Sequence, residues 1–272
     1  MTNSTTSRRG TTGLVDYWNE TTRPLVSLFF VLPMLVAYEG GLLVLGTETV
    51  MRNGADGWLR RLLQWVGFGQ YFLLPVLVCG ILLAWHHLLR DKWRVRWGVM
   101  TGMYLEAALF GFLLLVLAQI QGQLLSALPV QLSGQSSAVS VAQIDGTPEP
   151  PSIRQVAEQA SGNAGQFIAF LGAGIYEELL FRLMLLPVLA FVLRGLRVSP
   201  KLSWLGAVLL SSLLFSAAHF QIFTGTGDAW STFRFVFRFN AGVFFAVLFL
   251  TRGFGITAAA HAFYDVLATM SG

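Results

Sequence analysis

The sequence predicts an all-α protein, a polytopic transmembrane helix bundle with about seven to eight spans and one additional interfacial helix. The first observation is composition: 54% of the 272 residues are hydrophobic and only 12% are charged, whereas soluble domains usually carry about 25% charged residues. The second is that several apolar runs approach or exceed the roughly 18 residues with which a helix crosses a bilayer. The third is that these runs do not alternate polar and apolar residues, as the strands of a membrane barrel do.

The predicted spans follow one another from Pro24 onwards. The apolar runs, in chain order, cover residues 24–46, 69–89, 98–120, 164–193, 202–220, 235–251 and 254–270. The first run lacks a small-residue cleavage site, so we interpret it as a retained span and not as a signal peptide. The chain then divides into a polar, cytoplasmic N-terminus (1–23), a region of N-terminal spans, interfacial helix and long loop (24–160), and a C-terminal membrane core (161–272).

Two segments between the spans have distinct compositions. Residues 54–69, GADGWLRRLLQWVGFG, place most of their large apolar side chains on one helical face and Arg60 and Arg61 on the other. This pattern predicts an amphipathic helix that lies flat on the membrane surface. Residues 133–152 are rich in Ser, Gly and Pro, which predicts a flexible loop and not a second domain.

Basic residues predict the topology through the positive-inside rule. The loops 90–97 and 194–201 are rich in Arg and Lys and are expected in the cytoplasm, whereas 121–161 holds a single basic residue and is expected outside. The basic N-terminus then lies inside, and we expect an integral protein of the cell membrane. Arg52, Arg60 and Arg61 fall on the outer side in this topology, and contact with anionic headgroups would explain them. The net charge of +4 therefore reflects topology, and no nucleic-acid partner is expected.

The stretch YEELLFR, residues 176–182, places two glutamates and an arginine inside an apolar run. A charge near the bilayer centre costs at least ~2.5–3.5 kcal/mol, so such groups face the bundle interior, form pairs or carry chemistry. Glu178 and Arg182 are four residues apart, which places them on one helix face as an ion pair. Glu177 is rotated by about 100° from Glu178, and we interpret it as a cavity-facing base. The alternative is a structural ion pair at a helix end beside one solvated glutamate.

Two histidines occupy the next polar positions of the C-terminal half. His219 ends the run LLFSAAHF, and alone it is more typical of an interfacial polar tip than of a catalyst. His261 lies one turn before Asp265 in GITAAAHAFYDVLATM, and the two form either a structural pair or a donor pair aimed at a substrate oxygen. Together with Glu177 they supply a base, a proton shuttle and an oxyanion site, which the hydrolysis of an acyl group requires.

Three ordered motifs in this region resemble those of the CPBP family, also called the Abi or CAAX-protease and bacteriocin-processing family. The family's motifs are Glu-Glu-x-x-x-Arg, Phe-x-x-x-His and His-x-x-x-Asn/Asp, and here they read EELLFR at 177–182, FSAAH at 215–219 and HAFYD at 261–265. The resemblance covers about residues 164–270. It implies a glutamic-type intramembrane endopeptidase similar to the Ras-converting CAAX endopeptidase, with residues 161–272 as its catalytic membrane core.

The resemblance also implies a role for each matching residue. Glu177 would activate water with the assistance of His219, while His261 and Asp265 would position the water or stabilise the oxyanion. Aspartate stands at position 265, where the characterised CAAX endopeptidases carry asparagine. An ionised Asp265 cannot donate to an oxyanion, so it is either protonated or orients His261 as an acceptor. The residues expected to support the site are Glu178 and Arg182.

The sequence leaves other readings open. The resemblance implies no metal cofactor, but Glu177, His219 and His261 are also a possible set of zinc ligands, although the His-Glu-x-x-His motif is absent. A proton-coupled transporter, with Glu39 and Glu106 extending the path, and a non-catalytic scaffold are the non-enzymatic alternatives. The expected partners are the lipid bilayer and a membrane-associated protein or peptide substrate, and the oligomeric state is left open.

Overall fold

The computed structural model describes residues 16–46, 54–65, 67, 73–126, 153–221 and 227–271. Regular secondary structure in this part of the chain is helical, which confirms the all-α fold class. A short helical segment over residues 16–21 comes first. The longer elements are α1 (Pro24–Leu45), α2 (Gly54–Trp65), α3 (Leu73–Leu88), α4 (Trp97–Ser126), α5 (Ile153–Glu178), a π-helical segment (Leu179–Leu185), α6 (Leu186–Gly195), α7 (Pro200–Ala217), α8 (Thr232–Arg252) and α9 (Phe254–Ser271).

Four of these helices are long and apolar enough to cross a membrane, namely α1, α4 over Trp97–Leu124, α7 and α8. The helix α3 is apolar but shorter. Helices of this length and composition indicate an integral membrane protein. The predicted number of seven to eight spans is not confirmed by these four helices.

The run 164–193, which reads as one span in the sequence, changes its helical register in the middle. The helix α5 passes directly into the π-helical segment Leu179–Leu185, and α6 begins at Leu186 with Pro187 in its first turn. Proline has no N–H for an α-helical hydrogen bond to the residue four positions earlier, and its ring clashes with that carbonyl. The wider π turn accommodates both effects. The motif at 177–182 therefore straddles the change of register.

A single glycine joins the last two helices. Gly253 has a φ of +82°, a left-handed conformation that glycine adopts without steric cost. It ends α8, and α9 begins at the next residue. The connection leaves no room for a loop, so α8 and α9 pack beside each other and present side chains to a common space.

The helix α9 is the central element of the bundle, since it packs against α1, α4 and α5. Every residue from Phe254 to Ala262 is buried. Close approach depends on small residues in the neighbouring helices: a Cβ atom at Gly111 of α4 would lie 2.9 Å from the Cβ of Phe263, and one at Gly174 of α5 would overlap the carbonyl oxygen of Ala258. Helix packing through small residues is typical of membrane bundles.

Gly174→Ala is expected to destabilise the protein by about 1–3 kcal/mol, because the added methyl group meets backbone that cannot move without displacing α9. Gly162→Ala is the matched control in the same helix, since a Cβ atom there meets nothing within 4 Å. It should be neutral or stabilising by roughly 0.5–1 kcal/mol, the usual gain from replacing a helical glycine. Thermal unfolding of both proteins in detergent, followed by circular dichroism, measures the difference. Equal melting temperatures would contradict the close packing of α5 on α9.

The remaining buried charges are paired away from the C-terminal motifs. Glu39 of α1 accepts a hydrogen bond from the Tyr176 hydroxyl at 2.5 Å and forms an ion pair with Arg60 of α2 at 3.4 Å. Glu106 of α4 binds Arg252 at 2.5 Å. These pairs indicate that both carboxylates connect helices, and neither lines the cavity described below.

A helix is present where the interfacial helix is predicted, as α2, and it ends at Trp65. Leu59 is buried against the bundle, while Trp58, Leu62 and Trp65 are exposed. Arg60 contacts Glu39, so it does not need a lipid headgroup as its counter-ion. Arg52 and the predicted loop 133–152 lie outside the described residues.

Candidate active site

The four residues predicted to carry chemistry converge from three parts of the chain. Glu177 lies in the last turn of α5, His219 follows α7, and His261 and Asp265 are one turn apart in α9. The Oε2 atom of Glu177 is 3.6 Å from Nε2 of His219 and 3.8 Å from Nε2 of His261. All four side chains line one cavity of about 650 Å³. The structure therefore brings together a carboxylate and two imidazole nitrogens at a single point.

The His219 ring is oriented by its own helix turn. Its Nδ1 atom lies 2.7 Å from the carbonyl oxygen of Phe215, and because a carbonyl only accepts, Nδ1 is the nitrogen that donates. The Nε2 atom is thereby turned towards Glu177. The Phe215 ring packs on the imidazole with centroids 4.9 Å apart in an edge-to-face arrangement. His219 is the more accessible of the two histidines, with 26% of its side chain exposed against 7% for His261.

The His261 ring is oriented by Glu178. Its Nδ1 atom lies 2.7 Å from Oε1 of Glu178, and its ring stacks on Phe245 of α8 with centroids 4.6 Å apart and an interplanar angle of 17°. Asp265 lies farther away, with Oδ2 3.8 Å from the His261 Nε2, which is too long for a hydrogen bond. The acceptor that fixes the His261 ring is therefore Glu178. The sequence spacing predicts a partner for Glu178 only in Arg182.

Arg182 contacts Glu178 and is almost fully buried, with 1% of its side chain exposed. Its Nη1 atom lies 3.1 Å from Oε1 of Glu178, and its Nη2 donates to the carbonyl oxygen of Gly242 at 3.3 Å. The guanidinium carbon lies 4.3 Å from the centroid of Phe215 and 5.5 Å from that of Phe245, distances at which a cation and an aromatic ring attract each other. Arg182 thus connects the helices α5, α7 and α8.

A second group of charges lines the cavity away from this cluster. Arg234 and Arg238, one turn apart at the start of α8, both bind Oδ2 of Asp228, at 3.0 and 2.7 Å. Burial opposes ionisation of Asp228, but the hydrogen bonds and charges of Arg238 and Arg234 outweigh it and hold the pKa of this carboxyl below its usual value. The site residues predicted from the sequence do not include Arg234, Arg238 or Asp228. Two arginines four positions apart at the start of an apolar run are the pattern that could have indicated them.

A zinc site needs three or more donor side chains around one point. Within the described ranges, no group of three or more His, Cys, Asp or Glu side chains has an arrangement that could hold a metal ion. In the zinc reading, the ligands would be Glu177, His219 and His261, and the metal would polarise a carbonyl group or activate water.

Comparison with known proteins supports the resemblance drawn from the motifs. Residues 163–267 match the family model described as Type II CAAX prenyl endopeptidase Rce1-like. Comparisons with curated proteins and with solved structures gave no significant match. The matched range contains the whole cluster of Glu177, His219, His261 and Asp265. Residues 163–267 are therefore similar to an Rce1-like domain, in a chain whose apolar helices indicate a membrane protein.

Proposed function

We propose that this protein is a glutamic-type intramembrane endopeptidase that hydrolyses a peptide bond in a membrane-associated protein or peptide. One observation carries the proposal: the Glu177 carboxylate lies within 3.8 Å of two imidazole Nε2 atoms inside a cavity of about 650 Å³. A carboxylate and two histidines at this spacing can hold one water molecule and move its proton. The cavity is large enough for several residues of an extended peptide.

In the proposed reaction, Glu177 removes a proton from a water molecule, and the resulting hydroxide attacks the carbonyl carbon of the scissile bond. The C–O bond forms as the carbonyl π electrons move onto oxygen. The proton then passes, with His219 as the shuttle, to the leaving amide nitrogen, and the C–N bond breaks. The products are a carboxylic acid and an amine, and Glu177 returns to its ionised state. General acid–base catalysis of this kind contributes typically about 10²–10⁴-fold.

His261 is assigned to the oxyanion. As an imidazolium flanked by Glu177, Glu178 and Asp265 it can donate Nε2–H to the developing negative charge. Glu178 holds its Nδ1 at 2.7 Å, which fixes the direction of the second nitrogen. Asp265, 3.8 Å from Nε2, balances the positive charge or contacts the water. Glu178 and Arg182 act as supports, because they touch the histidine and the helices and not the reacting atoms.

The family model's name and the size of the cavity support one substrate class over others. A prenylated peptide with a cysteine followed by three residues, the arrangement that CAAX denotes, is the first candidate. We further propose that the protein lies in the plasma membrane with its N-terminus in the cytoplasm, as the basic loops predict. In this topology, the membrane would be crossed by the four apolar helices and also by the shorter α3 and the less apolar α5 and α9.

The test is cleavage of a fluorogenic reporter peptide, S-farnesylated on a cysteine three residues from its C-terminus, by purified protein in lipid vesicles. Wild-type protein should release the fluorophore and Glu177→Gln protein should not. A chelator and metal analysis of the same sample decide between a metal-free site and the zinc reading, because a zinc enzyme would lose activity with its metal. Equal signals from wild-type and Glu177→Gln protein would reject the proposed function.

The natural substrate is then sought by comparing the membrane proteomes of cells that carry wild-type or Glu177→Gln protein. An uncut membrane-associated protein should accumulate in the variant cells. Its uncut terminus, identified by mass spectrometry, gives the cleavage site directly.

A further inference from the structure

A second cavity, which we call the tryptophan groove, lies where α7 begins and α8 ends. It has a volume of about 420 Å³ and is lined by α3, the π-helical segment, α6, α7 and α8. Its walls include Trp85, Pro187, Trp204 and Phe249, and the rings of Trp85 and Phe249 are 6.3 Å apart. It shares no described residue with the cavity that contains Glu177, so the proposed mechanism does not use it.

The loop beside the groove is basic and has no acidic partner. Arg194, Arg197 and Lys201 are exposed where α6 ends and α7 begins. No Asp or Glu occurs in residues 179–227. Within the described ranges, none of the three side chains forms an ion pair or a hydrogen bond. Three positive charges therefore face the surroundings of the protein at this end of the bundle.

The helix register places two of these charges beside the groove. Arg194 follows Pro187 by seven residues in α6, and Lys201 precedes Trp204 by three residues in α7. Residues at these spacings share one face of a helix. The faces of α6 and α7 that form the groove therefore each end in a basic side chain.

The backbone at the ends of α3 and α6 is unusual. In the part of the chain that the structure describes, two non-glycine residues have a positive φ, and both are arginines: Arg90 after α3 at +50° and Arg197 after α6 at +63°. At Arg197 the helix closes with the Val198 N–H donating to the carbonyl oxygen of Leu193 at 3.1 Å, a motif in which glycine is usual at this position. A side chain in this conformation is sterically costly. Arginine in place of glycine indicates a role for its charge.

The bilayer supplies a ligand with the matching chemistry. Lipid tails are as apolar as leucine side chains, so an apolar groove alone does not select one lipid over another. An anionic headgroup does, because each Lys or Arg near the membrane surface strengthens its binding by about fivefold. Tryptophan rings are enriched at the level of the headgroups, and Trp204 is 41% exposed there. Charge and apolar shape together fit an anionic phospholipid.

We propose that the tryptophan groove binds an anionic phospholipid from the leaflet that carries the 194–201 loop. One acyl chain lies in the groove against Trp85 and Trp204, and the phosphate is bound by Arg197 and Lys201. This site is separate from the catalytic cavity, and its occupancy does not depend on the proposed reaction.

The experiment measures quenching of tryptophan fluorescence by brominated lipids, with the full-length protein in phosphatidylcholine vesicles. Brominated acyl chains quench the tryptophans that they contact. Brominated phosphatidylglycerol should reach half of its full effect at a mole fraction at least about tenfold lower than brominated phosphatidylcholine, as two cations predict. The chain has eight tryptophans, so the double variant Trp85→Phe with Trp204→Phe assigns the signal. It should lose the component that depends on the headgroup.

Substitutions at Arg197 separate lipid binding from a structural role. Arg197→Gly removes the charge and relieves the left-handed backbone, so it should weaken binding of phosphatidylglycerol about fivefold while raising the melting temperature in lipid-free detergent. Arg197→Lys should restore most of the binding. Arg94→Gln, which removes an exposed arginine of the 90–97 loop, is the control of equal charge and should bind phosphatidylglycerol as the wild type does. Unchanged binding in Arg197→Gly protein would overturn the proposal.

Further outcomes test the occupant. Equal quenching by the two brominated lipids would show an ordinary lipid-exposed surface and overturn the site. Displacement of phosphatidylglycerol by inorganic phosphate would also overturn it, because the acyl chain would then contribute nothing. Displacement by the farnesylated reporter, tested on Glu177→Gln protein to prevent cleavage, would assign the groove to the substrate instead. Phosphatidylglycerol binding that survives Glu177→Gln, whether or not wild-type protein cleaves the reporter, would support the lipid site independently of the protease.

Discussion

Glu177→Gln is expected to lower kcat/KM for the reporter peptide by about 10²–10⁴-fold, the range that a general base contributes. The amide has nearly the same size and shape as the carboxylate but cannot accept the proton of water. The substitution should leave His219 and His261 in place, because both rings are held through their Nδ1 atoms, so the measurement reports the loss of the Glu177 carboxylate. The folded protein should be retained, since the buried ion pair of this region joins Arg182 to Glu178.

Two further variants make this prediction specific. Glu177→Asp keeps the charge but withdraws it by one methylene group, and a displacement of about 1 Å can itself cost 10²-fold. Glu20→Gln removes a carboxylate that pairs with Arg23 at 2.8 Å before α1, and it should retain the wild-type rate. The measurement is initial rate against reporter concentration, at equal amounts of folded protein. Wild-type kcat/KM in Glu177→Gln protein would remove Glu177 from the mechanism.

The sequence predicts those features that depend on local spacing. Long apolar runs without alternation give the helices, and several of their boundaries follow from proline at the start or glycine at the end, as at Pro24 and Gly253. The pairing of Glu178 with Arg182 follows from a separation of four residues. The convergence of Glu177, His219 and His261 is predicted by three polar motifs in the apolar runs of the C-terminal half, and the distances from Glu177 to both histidines agree with it.

The features that could not be predicted depend on contacts between distant helices. The bond from His261 to Glu178 joins residues 83 positions apart, so no helical periodicity reveals it. The same holds for the stacking of His261 in α9 on Phe245 in α8. The π-helical segment could not be predicted either, because the apolar pattern of 164–193 is the same with or without it.

Arg182→Ala is expected to destabilise the protein by about 3–5 kcal/mol, the usual cost of removing one partner from a buried ion pair. Glu178 is fully buried, and without Arg182 its charge would keep only the His261 hydrogen bond. The substitution also removes the donor to Gly242 and the contacts with the Phe215 and Phe245 rings. Since folded proteins are stable by only about 5–15 kcal/mol, this loss should appear as a large decrease in melting temperature in detergent.

Two controls separate the stranded charge from the loss of an arginine side chain. Arg194→Ala removes an exposed arginine at the end of α6 and should change the free energy of unfolding by no more than about 0.5 kcal/mol. The double variant Glu178→Gln with Arg182→Met leaves a neutral pair of similar volume, and it should be more stable than Arg182→Ala because no buried charge is left without its partner. The amide oxygen that Glu178→Gln introduces still accepts a hydrogen bond from His261, so this variant keeps the histidine in place. If Arg182→Ala melts at the same temperature as Arg194→Ala, the ion pair does not hold the helices together, and His261 alone must stabilise the Glu178 charge.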